Sequence, residues 1–151
     1  MTISHKTGIA KEDIPMIHVI MGLKGSGKTK KLIDAIHGAV ADAHGDVVCI
    51  EYGRKLTYDV TYKVRLVDSK EYAISSAEML KGFLSGLHAG NFDITHVFID
   101  NLYKTIGTDK AAGEDFVAWC AQFAAVNNME ITITLSEDPS EASEAMKQYI
   151  V

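Results

Sequence analysis

Residues 22–29 read Gly-Leu-Lys-Gly-Ser-Gly-Lys-Thr, and the segments on either side of them have different periodicities. Met16-Ile17-His18-Val19-Ile20-Met21 is an apolar run of strand length, whereas the chain from Lys28 to about residue 43 carries its apolar residues at helical spacing. A strand that enters a helix through so short a glycine-rich turn must bend sharply. The N-terminus of the helix then faces the inside of the bend. The spacing is G-x-x-x-x-G-K-[ST], and the strand-to-helix context is what gives that pattern physical meaning. Successive backbone N–H groups and the positive end of the helix converge on one spot, which suits phosphate oxygens. Gly22, Gly25 and Gly27 let the backbone fold tightly and approach an anion closely. Lys28 is suited to reach β- and γ-phosphates and the Thr29 hydroxyl to ligate Mg²⁺, with Lys24 and Ser26 completing the nucleotide-contacting loop.

Downstream, strand and helix patterns alternate. The first helix spans about 28–43, with Gly45 as its expected C-cap, and residues 46–51 read as a second strand. Residues 52–61 are a polar connection containing Tyr52 and Tyr58. Residues 62–67 alternate polar and apolar, as an edge or half-covered strand does. Ser75-x-x-Glu78 is a capping box opening a helix that runs to His88 or Ala89 and stops at Gly90. Residues 95–100 form the next strand. A helix over about 112–127 puts Phe116, Trp119, Cys120, Phe123 and Ala124 on one stripe, which is core packing. Residues 131–135 are the last strand, and a short helix over 140–149 follows, with Ser140 as its cap. This alternation implies an α/β fold: a mainly parallel five-stranded sheet with helices on both faces over residues 16–151. Residues 1–15, polar and weakly patterned, read as an N-terminal arm.

Composition narrows the function classes. The formal net charge of −5 gives no reason to expect general affinity for nucleic acid or an anionic membrane. Cys49 and Cys120 make no zinc or redox spacing, and the six histidines are scattered. No run of 18 apolar residues and no signal-like segment is visible, so a cytoplasmic protein is expected.

In parallel α/β sheets, ligands bind beyond the carboxyl ends of the strands. The informative residues are therefore Glu51 and Tyr52, Asp68 and Ser69, Asp100 and Asn101, Ser136 and Glu137. Asp100 ends an apolar strand and is the natural second partner of Mg²⁺ alongside Thr29. Many ATPases of this kind carry a Glu directly after that Asp; here the position is Asn101. Glu51 is the first choice for the group that activates water, Glu137 the second, and Ser136 is suited to sense the γ-phosphate. The chain has only two arginines, Arg54 and Arg65, and Arg54 is the better candidate for a charge-stabilising finger.

The succession of glycine loop, Glu51-bearing strand and the strand His96-Val97-Phe98-Ile99-Asp100-Asn101-Leu102 resembles the RecA-like branch of P-loop NTPases, which includes thymidine kinases. The resemblance covers about residues 16–136. More narrowly, Met21 to Thr29, Lys55-Leu56-Thr57-Tyr58-Asp59 and residues 95–103 resemble small bacterial P-loop ATP-binding proteins, some of which carry a twitching-motility ATPase label. It implies ATP and Mg²⁺ as ligands, with Lys28, Glu51 and Asp100 as the catalytic set. The acidic and histidine boxes of the larger motor ATPases are not found in this chain.

Three functions compete. One is a slow ATPase acting as a switch or assembly-driven motor element, stimulated by homo-oligomerisation or by a protein partner. Another is a nucleoside or small-molecule kinase, disfavoured by two arginines and by the lack of the four-cysteine zinc lasso of thymidine kinases. A GTPase is disfavoured too, because no N-K-x-D motif occurs and Asp100 opens no D-x-x-G pattern. The third is an ATP-sensing module that binds without turnover, which Asn101 favours.

Overall fold

Five apolar runs pair side by side in a computed structural model that describes residues 16–151. The arm assigned to residues 1–15 lies outside the described residues. The strands are β1 (Ile17–Gly22), β2 (Asp46–Glu51), β3 (Val64–Asp68), β4 (Ile94–Ile99) and β5 (Glu130–Ser136). Their order across the sheet is β1-β5-β4-β2-β3, and every pair is parallel. β2 and β5 are buried almost continuously, as strands covered on both faces must be. β3 is only partly buried, with Val64 and Val67 inside and Arg65 exposed, and it takes the edge, as its sequence predicts. The other edge is covered too: the Val19 N–H donates to the Tyr149 carbonyl and the Val151 N–H to that of Val19.

The helices are α1 (Lys28–Asp42), α2 (Ala77–Gly90), α3 (Leu102–Ile106), α4 (Lys110–Asn127) and α5 (Glu144–Lys147). Leu32, Ile36 and Ala39 of α1 cluster with Val47, Cys49 and Phe98 on one face of the sheet. Leu80 and Leu84 of α2, and Phe116, Val117 and Cys120 of α4, cluster with the alternate residues Val48, Ile50, Val97 and Ile99 on the other. Handedness explains the split. The connections from β1 to β2 and β2 to β3 run one way across the sheet, those from β3 to β4 and β4 to β5 the other. Right-handed crossovers then put the two sets on opposite faces. Leu56, in the connection between β2 and β3, duly joins the α1 cluster. Each fully buried Leu, Ile or Phe contributes about 1.5–3 kcal/mol.

The expected sheet and core stripe are present: Phe116, Cys120 and Ala124 are buried, with Trp119 and Phe123 packed against the same core. Several ends differ. α1 stops at Ala43 in an extended conformation, so Gly45 is not its cap. Gly45 is needed for closeness instead, since a Cβ there would stand 2.1 Å from the Asp93 carbonyl oxygen. The N-cap of α2 is Ser76, whose side chain accepts from the Met79 N–H, one position later than the box at Ser75. Gly90 is still helical, and Asn91 caps the helix. β3 starts at Val64, because the Val64 N–H first closes a turn on the Thr61 carbonyl. α4 opens earlier than expected, capped by the Asp109 side chain. The single helix over 140–149 is instead a 3-10 turn at Pro139–Glu141 and the short α5, capped by Asp138 and Ser143 rather than Ser140. Helix α3 was not anticipated; it begins directly at the crest.

Candidate functional site

The glycines of the loop each meet a distinct constraint. Gly25 and Gly27 have φ of 84° and 91°, in the left-handed region that side chains avoid. Gly22 is excluded from substitution by crowding: a Cβ there would lie 2.2 Å from Ser26 Oγ. The loop closes through the Ser26 N–H on the Leu23 carbonyl and feeds α1 through Gly27, which offers no side-chain cap. No acidic residue sits in the first turn of α1, although acids stabilise that end of a helix. Lys28, Lys30 and Lys31 sit there instead. Positive charge at a positive helix end is unfavourable until an anion joins it. Lys28 Nζ meanwhile donates to the Leu23 carbonyl at 3.2 Å.

An open cleft of ≈ 460 Å³ lies beyond the carboxyl ends of the strands. It brings together Lys24, Gly25, Gly27, Lys28 and Thr29 from the loop with Asp100 and Ser136 from the crest. Gly22 and Ser26 of the loop do not line it. Asp100 is half-buried just past β4, its N–H donating to the Ile50 carbonyl. Thr134, fully buried on β5, orients the crest: its hydroxyl donates to Asp100 Oδ1 at 2.9 Å and accepts from the Asn101 N–H at 2.6 Å. Asn101 has φ 53°, a left-handed conformation that asparagine tolerates. Among the described residues no cluster of three or more His, Cys, Asp or Glu could hold a metal. A hydroxyl at Thr29 and a carboxylate at Asp100 on one cleft nevertheless fit Mg²⁺, which takes few protein oxygens and keeps waters.

The other candidates are held elsewhere. Glu51 is buried, with Oε1 accepting from the Lys55 N–H at 3.0 Å and Oε2 from the Leu56 N–H at 3.2 Å. It thereby anchors the connection after β2 and does not line the cleft. Burial raises its pKa above the ordinary carboxylate value, against the pull of those two amides, and Asp100 and Asp68 add to the rise. Glu137 accepts from the Tyr103 hydroxyl at 2.8 Å and pairs with Lys110 at 3.2 Å. Arg54 turns to Asp68 and Glu71 and lines a separate pocket with Arg65.

Sequence reasoning missed Lys55 and Lys104, which line the cleft from the β2–β3 connection and from α3. The ammonium of Lys55, and that of Lys24 beyond it, lowers the pKa of Lys104, with Asp100 opposing. Among the described residues, four lysines thus share one cleft with one carboxylate, in a chain of net charge −5. Thr134 was missed as well. A polar residue in the middle of an apolar strand was the signal available for it.

No family model matches the chain, and no curated protein matches it. Among solved structures it is similar to the crystal structure of flagellar accessory protein FlaH from Methanocaldococcus jannaschii. The TM-score is 0.56 at 14% identity, over 89% of this chain and 67% of that one. At such identity the likeness carries the fold alone. The strand order gives the expected five-stranded parallel α/β sheet, and this likeness accords with that fold. No helix among the described residues is long and apolar enough to cross a membrane.

Proposed function

We propose that this chain binds ATP with Mg²⁺ in the cleft between the glycine loop and Asp100 and hydrolyses it slowly, as a switch or assembly-driven element. The observation that carries this reading is the loop itself: two left-handed glycines and a third closed to any side chain lead into an uncapped, lysine-flanked helix end. Backbone N–H groups of residues 25–29 and Lys28 would hold the phosphates. Thr29 and Asp100 would hold Mg²⁺, which when bound neutralises charge on the β- and γ-phosphates. Thr134 fixes the carboxylate of Asp100, and Ser136 lies at the cleft to sense the terminal phosphate.

Slowness follows from what surrounds the water. Both oxygens of Glu51 are engaged by backbone N–H groups, Glu137 is engaged by Tyr103 and Lys110, and Asn101 is a poor proton acceptor. Glu51 would act as base only with its loop released, a change that oligomerisation or a protein partner would supply. The flagellar accessory role in the neighbour's name is in keeping with an assembly-linked switch. Within the RecA-like fold we read the chain as one of the small bacterial ATP-binding proteins, cytoplasmic, with nucleic acid and membrane outside its partners. A kinase is disfavoured, since neither arginine lines the cleft.

Phosphate release from ATP and Mg²⁺ tests the reading. Slow release by the wild type, lost at least about 100-fold in Lys28→Ala, supports it. Rapid turnover by an isolated monomer contradicts it. Tight ATP binding without release favours the second reading, a non-hydrolysing ATP sensor, which the engaged carboxylates also support. Phosphorylation of an added nucleoside would select the kinase.

A further inference from the structure

We propose that Lys55 and Lys104, with Lys24, form an intrachain cationic clamp on the terminal phosphate of the bound nucleotide, in the role that an arginine finger fills elsewhere. The inference rests on the nucleotide reading of the cleft and names the residues that would distinguish a triphosphate from a diphosphate there.

Three elements converge to build the clamp. Lys24 comes from the loop after β1, Lys55 from the connection after β2, and Lys104 from α3 just past Asp100. Two of these positions are fixed by buried groups. The Lys55 N–H is held by the carboxylate of Glu51, and α3 is anchored by buried Leu102 and Thr105 on either side of Lys104, with Ser69 hydrogen-bonded to Thr105 at 2.8 Å. An exposed lysine normally turns to water or to a carboxylate. Lys104 instead shares the cleft with Lys55 and Lys24, and Lys55 first, then Lys24, holds its pKa below the ordinary lysine value against the pull of Asp100. Among the described residues Asp100 is the one carboxylate lining the cleft, and binding Mg²⁺ would occupy it.

Such an arrangement is self-repelling when empty, and a multivalent anion relieves it. Backbone N–H groups of the loop serve the phosphates nearer the nucleoside, Lys28 spans the β- and γ-phosphates, and the metal side marked by Thr29 and Asp100 serves the terminal one. Lys55 and Lys104 line the cleft together with Asp100, so the clamp engages the terminal phosphate on that metal side. With both arginines lining another pocket, these lysines add to Lys28 and the metal the positive charge that an arginine would bring.

The test is calorimetric titration of ATP·Mg²⁺ and of ADP·Mg²⁺ into wild type, Lys55→Ala, Lys104→Ala and the double variant, beside Lys28→Ala. Each clamp substitution is expected to weaken ATP binding about tenfold, the worth of one charge-assisted hydrogen bond, and ADP binding less than about threefold. The nucleotide-free variants should melt about 1–2 °C higher than wild type, because a repulsion has been removed. Loss of ATP and ADP affinity by the same factor, or of neither, would overturn the clamp while leaving the nucleotide site intact. A wild type that binds neither nucleotide would overturn both readings at once.

Discussion

Thr134 is fully buried in β5, and its one hydroxyl serves two neighbours, accepting from the Asn101 amide and donating to Asp100. Valine has nearly the same shape and neither bond. Thr134→Val is expected to cost about 1–3 kcal/mol of stability, because the Asn101 N–H loses its partner. It should also weaken Mg²⁺-dependent ATP binding about tenfold while metal-free binding changes little, since Asp100 is no longer oriented. Thr134→Ser should restore the metal-dependent part. Equal loss with and without Mg²⁺ would assign Thr134 to folding alone. At this scale the sequence was most legible where the constraint is local. Gly25 and Gly27 are demanded by backbone angles within the motif, and Asp100 by the end of its own strand. Thr134, Lys55 and Lys104 reach the site from β5, from the β2–β3 connection and from α3, so no spacing announces them.

Among the elements, the connection between β2 and β3 has the most to say about Glu51. It carries Leu56 into the α1 core and Lys55 to the cleft, and both backbone N–H groups end on one buried carboxylate. The raised pKa of Glu51 means that the folded protein holds its proton more tightly than the unfolded chain does. That is a stability penalty at neutral pH, and it should be relieved as the pH falls through the folded pKa toward the ordinary value of about 4.5. Chemical denaturation across pH 4–8 is therefore expected to show the stability gap between Glu51→Gln and wild type closing as the pH falls. A gap independent of pH would contradict the assignment. Glu51→Ala, which leaves the N–H groups of Lys55 and of buried Leu56 without their acceptor, should lose about 1–3 kcal/mol even at pH 7. Elements were legible in kind and order, because period and length separate strands from helices. Their ends were not: caps at Ser76, Asp109 and Ser143 are chosen by side-chain bonds that neighbouring serines and acids could equally offer. Helix α3, five residues long, is too short to show a period.

For the whole molecule, strand order decides where chemistry can occur. With β5 between β1 and β4, the loop, Ser136 and Asp100 stand at the carboxyl ends of three adjacent strands, and α1 departs on the opposite face from α2 and α4. The chain is acidic overall, yet Lys24, Lys28, Lys55 and Lys104 meet at that crest, a local positive charge that the net figure of −5 conceals. The alternation of strands and helices foretold the layers. It left the order of the strands open, and with it the neighbours of each crest residue. The measurement that bears most directly on the central claim is calorimetric titration of ATP with Mg²⁺ into the folded wild-type chain. The account predicts saturable heat with one nucleotide per chain, abolished by Lys28→Ala at unchanged stability. A folded wild type that gives no heat, or a Lys28→Ala variant that binds as tightly, would contradict it.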